Sequence, residues 1–268
     1  MSYMPMKPFA FIAAFFLTVG AAALSSARLP LPQSVRGAGK IPVVVELFTS
    51  EGCSSCPAAD EALRELAASQ SLPGIEVVAL GLHVDYWNRL GWKDSFSSSE
   101  FTERQRVYAQ RFGEGSYTPQ AVVNGRYELV GSRRQALREA VLQAAQAPRA
   151  SVRLTQAAQG TLQVTVDDQP VGSQPAEVLL ALTETELASQ VGRGENRGRL
   201  LRHAAVVRVL RRLGTVAANG SFAATVPLQL DAQWKARNLR AVVVVQEQAS
   251  RYIVGVATLP LGGVESPQ

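Results

Sequence analysis

Apolar positions along the chain fall into short runs whose spacing changes from one segment to the next. The first run, Pro8 to Leu24, is interrupted only by Thr18 and Gly20. Pro42–Phe48 reads P-V-V-V-E-L-F, short, β-branched and nearly unbroken, which predicts a strand covered on both faces. From Pro57 to Ala68 the residues Ala59, Leu63, Leu66 and Ala67 recur at helical spacing with charges between them. Leu72-Pro73-Gly74 breaks that pattern, and Ile75–Val84 predicts a second buried strand. Asp85–Phe112 is a long insertion that opens on the aromatic stretch D-Y-W-N-R-L-G-W-K-D. Its second half, Ser97–Phe112, predicts a helix with Ser99 as N-cap. Pro119–Val123 and Arg126–Val130 flank Asn124-Gly125, the strongest short hairpin signal. Gly131-Ser132 then opens a helix to about Ala147, with Ala136, Leu137, Ala140 and Val141 on one face.

This order, β-α-β-α-β-β-α, predicts an α/β thioredoxin-like N-terminal domain. After Pro148 the texture changes. Ser151–Leu154, Leu162–Val166, Val178–Leu182, Leu200–Leu210, Ser221–Leu228, Leu239–Gln246 and Tyr252–Leu259 are strand-like runs, most of them separated by Gly, Pro or Asn. Regular short strands with turn signals predict an all-β, sandwich-like C-terminal domain. The expected organisation is a signal segment at 1–27, a Pro- and Gly-rich linker at 28–40, an α/β domain at 41–148, a β-sandwich at 149–262 and a tail at 263–268.

Composition narrows the class. The chain has 268 residues, 47% hydrophobic and 18% charged, enough apolar mass to bury real cores. Its net charge of +5 bears on solubility and non-specific adhesion more than on a particular partner. Lys7, the apolar run behind it and the small residues Ala21–Ala23 and Ser25–Ala27 form the pattern of a secretory signal. The expectation is an exported protein, periplasmic or secreted. Left uncleaved, the same run would anchor the chain to a membrane. Oligomeric state is not legible.

The chain holds two cysteines, Cys53 and Cys56, three positions apart between a predicted strand and a predicted helix. A disulfide here would close almost no loop, so stapling is a poor explanation and reactivity a better one. A helix N-terminus stabilises a thiolate, the attacking species in disulfide exchange. Cys53 is the expected nucleophile and Cys56 the expected resolving thiol. Pro57 fits the first helical turn, where its missing N–H costs little. A zinc site would need four ligands, and there is no second cysteine pair.

Three long segments carry a family resemblance: E-L-F-T-S-E-G-C-S-S-C-P-A-A-D, L-H-V-D-Y-W-N-R-L-G-W-K-D-S-F-S-S and Y-T-P-Q-A-V-V-N-G. They resemble the secreted bacterial proteins of the domain-of-unknown-function 1223 family, as does the later G-E-N-R-G-R-L-L-R-H-A-A-V-V-R. The likeness runs from about Pro42 to Leu259 and implies the two-domain architecture above, with no reaction attached. Similarity to thioredoxins proper adds two roles. Thr118-Pro119 stands where such folds carry a cis-proline facing the cysteines, so Pro119 is expected to shape the partner groove. Glu46 stands near the buried carboxylate that accepts a proton from the resolving thiol. Its plain alternative is a place facing an edge or an ion pair with an arginine. Ser54-Ser55 replaces the Gly-Pro of thioredoxins, which leaves the direction of electron flow open.

The leading expectation is therefore an exported thiol–disulfide oxidoreductase acting on protein thiols or disulfides without a cofactor. Two others stand beside it. Cys53, Cys56 and His83 could hold copper, since thiolates and imidazole both suit that metal. The chain could also be a non-catalytic interaction protein. Gly192–Arg212 carries seven arginines and His203, but export and the lack of an aromatic platform argue against nucleic acid. The plain reading of this stretch is a solvated strand face with a satisfied histidine; the sharper one is a polar junction of Glu195-Asn196-Arg197 and His203 against the N-terminal α/β domain. No Ser-His-Asp order, phosphate loop or H-E-x-x-H motif is present.

Overall fold

A computed structural model describes residues 1–3, 39–68, 72–157 and 160–262. The expected signal segment from residue 4 on, most of the 28–40 linker and the 263–268 tail lie outside the described residues. The first elements follow the expected order: β1 (Ile41–Thr49), α1 (Cys56–Ala68), β2 (Ile75–His83), α2 (Ser99–Phe112), β3 (Gln120–Val123), β4 (Tyr127–Val130) and α3 (Arg134–Ala144). They are followed by β5 (Ser151–Ala157), β6 (Thr161–Asp167), β7 (Ala176–Glu184), β8 (Ala188–Gln190), β9 (Leu200–Arg202), β10 (Val206–Val216), β11 (Phe222–Pro227), β12 (Leu239–Glu247) and β13 (Ile253–Pro260). The N-cap of α2 is Ser98, one residue before the expected Ser99, and its side chain accepts from the Glu100 amide. Asn124 and Gly125 both take positive φ, 45° and 66°, as the tight β3–β4 turn requires.

The expected fold class is overturned. The protein is mostly β, and one mixed eight-stranded sheet runs through both halves in the order β13-β12-β7-β10-β2-β1-β3-β4. There is no α/β thioredoxin-like domain standing apart from a β-sandwich; residues 39–262 belong to one compact unit. The junction is narrow. β10 joins β2 in parallel through Val206 and Gly81, and the Gly81 amide donates to Ala205 O at 2.6 Å. A Cβ on Gly81 would sit 3.0 Å from that oxygen, so glycine is what lets the two backbones close. The physical reason for the merger is visible in β2 itself. Its run from Val77 to His83 is buried throughout, so its second edge cannot be left to water and must be paired.

Side chains on either side of this sheet form distinct cores. Val43, Val45 and Leu47 of β1 face α1 and α3 through Ala59, Leu63, Leu137 and Val141. Val44 and Phe48 face the opposite way, toward Phe101 and Tyr108 of α2 and on to Val242 and Val244 of β12. A small second sheet, β11-β6-β5, covers β7 and β12 through Leu162, Val164 and Val166 against Leu180, Leu182, Val243 and Val245. β8 and β9 form a two-stranded ribbon that leads back to the end of β2.

Candidate functional site

The site forms where β1 and β2 end side by side, with Thr49 in register with His83. β1 runs into Ser50-Glu51-Gly52, a tight turn in which the Gly52 amide donates to Ser50 Oγ at 3.1 Å and the Cys53 amide to Ser50 O at 3.2 Å. Cys53 and Cys56 are joined in a disulfide with Cα atoms 5.4 Å apart. Cys56 is the first residue of α1, so the bridge lies at the positive end of that helix. Both cysteines are only 1% exposed, whereas Ser54 and Ser55 between them are exposed. Ser55 Oγ stands 3.3 Å from Cys53 Sγ.

What covers the disulfide comes from far along the chain. Asn196 is fully buried and its amide donates to the carbonyls of Glu51 and Cys53, both at 2.9 Å. The Ser54 amide donates to Glu195 Oε2 at 3.0 Å, and the bonds from Ser54 hold that carboxyl below the usual range. Arg199, not Arg197, fixes the cover by donating to Asn196 Oδ1 at 2.7 Å. The expected junction therefore exists through Glu195, Asn196 and His203. On the other side Trp87 lies against Gly52, and its indole N–H donates to Thr118 Oγ1 at 2.9 Å. The Thr118–Pro119 peptide bond is cis. Thr118, the residue before Pro119, is thus linked to the cysteine turn through Trp87.

Beside the disulfide lies a buried set of acids and imidazoles: Glu51, Asp60, His83, Asp94 and His203, each at most 5% exposed. His83 Nδ1 donates to Asp94 Oδ2 at 2.7 Å, and the same oxygen accepts the Glu51 amide at 2.9 Å. Burial works against a protonated His83, but Asp94, Asp60 and Glu51 outweigh it and hold the imidazole pKa above its ordinary value. Burial likewise opposes ionisation of Asp94, yet His83 and the amides of Glu51 and Phe96 draw its pKa below the ordinary value. Asp60 sits on the buried face of α1, accepting from Thr49 Oγ1 at 2.8 Å and from the Ala204 amide at 3.2 Å. Glu51 Oε2 accepts the Trp92 indole N–H at 2.7 Å, and Glu51 Oε1 is 3.1 Å from His203 Nε2 without the alignment of a hydrogen bond. The rings of His83, His203 and Phe96 stack edge to face, with centroids 4.9–5.5 Å apart.

The structure thus brings Cys53, Cys56 and His83 to one end of the sheet, with the two sulfurs bonded to each other and His83 Nδ1 taken by Asp94. It does not bring Glu46 there. Glu46 projects from the other face of β1, fully buried, where Arg104 Nε and the Tyr108 hydroxyl each donate to it at 2.5 Å. Burial opposes the Arg104 charge, but Glu46 overrides it and raises the guanidinium pKa. Burial and Glu46 together push the Tyr108 phenol up. Glu46 is held in the arginine pairing named as its plain alternative.

Sequence reasoning missed Asp60 and Asp94, and did not place His203 against His83 and Glu51. Asp60 carried a signal: with Cys56, Ala59 and Leu63 it completes an i, i+3, i+4, i+7 stripe that faces the core. His203 carried another, standing in an apolar run, which breaks there between β9 and β10. Asp94 carried none within its irregular loop.

The family model described as protein of unknown function, DUF1223, matches residues 44–246. The chain belongs to the DUF1223 family. Every site residue named above lies within that match. This DUF1223 chain is also similar to the crystal structure of protein AGR_C_4864 from Agrobacterium tumefaciens, at 32% identity, covering 84% of this chain and 96% of that one with a TM-score of 0.64. A domain of the outer membrane lipoprotein Omp28 from Porphyromonas gingivalis aligns over 42% of this chain and 88% of its own at 12% identity, with a TM-score of 0.23. An endonuclease/exonuclease/phosphatase from Beutenbergia cavernae aligns over 42% of this chain and 23% of its own at 15% identity, with a TM-score of 0.22. The last two likenesses are too slight to carry an argument. No curated protein matches the sequence.

Proposed function

We propose that this DUF1223 protein is a thiol–disulfide exchange protein working through Cys53 and Cys56. The observation that carries the reading is the disulfide itself, bridging positions three apart at the first turn of α1. So short a loop constrains the unfolded chain little. The bond is better suited to being made and broken than to holding the fold. The helix N-terminus supports the thiolate released on reduction.

The exchange runs in two displacements. A partner thiolate attacks Cys53 Sγ, the Cys53–Cys56 bond breaks, and its electron pair leaves on the Cys56 sulfur. The partner's second thiolate then attacks its own sulfur in the mixed disulfide, releasing Cys53 as thiolate. The partner leaves oxidised and this protein holds two more electrons. Run in reverse, Cys53 attacks a partner disulfide and Cys56 resolves it. In this reading Pro119 borders the approach to the sulfurs, and the partners are protein thiols or disulfides. The apolar N-terminal run supports an exported, oxidising setting, in which a cysteine pair can stay oxidised.

Reduced Cys56→Ser, incubated with a peptide disulfide, is expected to keep one peptide on Cys53 as a mixed disulfide visible by mass. Wild type should release both peptides and finish oxidised, and Cys53→Ser should capture none. Wild type that stays reduced beside the peptide disulfide would contradict the reading.

A further inference from the structure

The buried acids and imidazoles beside the disulfide are more than the exchange chemistry uses. Three buried polar atoms there have no hydrogen-bond partner: His83 Nε2, and His203 Nε2 and Glu51 Oε1, which stand 3.1 Å from each other without the alignment of a hydrogen bond; their side chains are at most 3% exposed. A buried polar group without a hydrogen bond is destabilising unless something bonds it. Asp60, His83 and His203 each offer a ligand atom within 4.8 Å of the other two.

We infer that Asp60, His83 and His203 form a binding site for a divalent transition metal of the zinc class. Two imidazoles and one carboxylate make a donor set that suits such ions and leaves a fourth position for water or another oxygen donor. The supporting bonds are those of a ligand set held ready. Asp94 takes His83 Nδ1 and thereby leaves Nε2 free to face the ion, the carboxylate–histidine–metal arrangement. Thr49 and the Ala204 amide fix the Asp60 carboxylate. Glu51 Oε1, against His203, is the oxygen best placed for the remaining position. A small cavity lined by Ser50, Glu51, Pro57, Asp60, Leu201, Arg202 and His203 adjoins these groups. Ligands about 2.0–2.1 Å from a tetrahedral zinc stand roughly 3.3 Å apart, so the three side chains draw together by up to about 1.5 Å on binding.

This ligand set contains no sulfur, so the site does not rest on the exchange reading, and the two fail separately. The test titrates Zn2+ by calorimetry into the full-length, disulfide-intact protein after chelator dialysis. One equivalent is expected to bind. The same stoichiometry is expected for the double variant Cys53→Ser, Cys56→Ser. His203→Gln and Asp60→Asn should each weaken binding by more than about 100-fold. Asp94→Asn, which weakens the support of His83 and of the Glu51 turn without removing a ligand, should weaken it by roughly 10–100-fold. Thermal unfolding of each variant without metal establishes that it is folded. Substitution with Co2+ gives a second readout, a paramagnetically shifted resonance from the His83 Nδ1 proton. Absence of binding by the folded wild type overturns the site. Binding that requires reduced cysteines, or that survives both His203→Gln and Asp60→Asn, overturns the ligand set.

Discussion

Glu46→Gln is expected to destabilise the protein by about 3–5 kcal/mol while leaving the reduction potential of the Cys53–Cys56 pair unchanged. Glu46 is fully buried and Arg104 beside it is 14% exposed, so removing the carboxylate's charge strands a guanidinium in the interior. Arg104 cannot escape by losing its proton, since a guanidinium stays charged in proteins at neutral pH. The damage spreads further, because Tyr108 bridges Glu46 to Gln246, whose amide donates to the Tyr108 hydroxyl at 2.7 Å. That chain ties β1 to α2 and α2 to β12. For a unit of this size the loss amounts to a fall in Tm of roughly 6–20 °C, measurable by calorimetry. A stable variant with a shifted potential would instead return Glu46 to the chemistry of the cysteines.

Asn196→Ala is expected to speed reduction of the disulfide by a small phosphine by about 30-fold. Both cysteines are 1% exposed, so a reductant waits for the cover over them to open. Asn196 closes that cover by two bonds to the carbonyls of Glu51 and Cys53. Two hydrogen bonds at about 1 kcal/mol each are worth roughly 2 kcal/mol of opening free energy, which is the stated factor in the open population. The segment is short and lies at one end of the sheet, so global stability should fall by no more than this amount. An unchanged rate would mean that the disulfide is reached from another side.

The contrast between these two residues shows what local sequence carries. The cysteine turn, the strand before it, the helix after it and the Asn124-Gly125 hairpin are set by neighbours within a few positions, and each stands as the pattern predicts. The merged sheet is not local. It depends on Gly81 meeting Ala205, residues far apart whose pairing leaves no periodic trace. One signal did exist. V-L-L-A-L in β7 and A-V-V-V-V in β12 are continuous apolar runs, the mark of strands covered on both faces rather than the alternation of a sandwich. β6 does alternate, T-L-Q-V-T-V-D, and it belongs to the small outer sheet. The site shows the same division. His83 was legible as a strand-end histidine, whereas Asp94 reaches it from an irregular loop, and the way Asn196 and His203 meet the end of β2 depends on the second half of the chain returning there.

The most direct test of the account is the reduction potential of Cys53–Cys56 in the wild-type protein, measured by equilibration with glutathione and dithiothreitol buffers. A pair built for exchange is expected between about −270 and −120 mV, the span of known thiol–disulfide exchange proteins. A value below roughly −300 mV would mark a structural disulfide and contradict the proposed function.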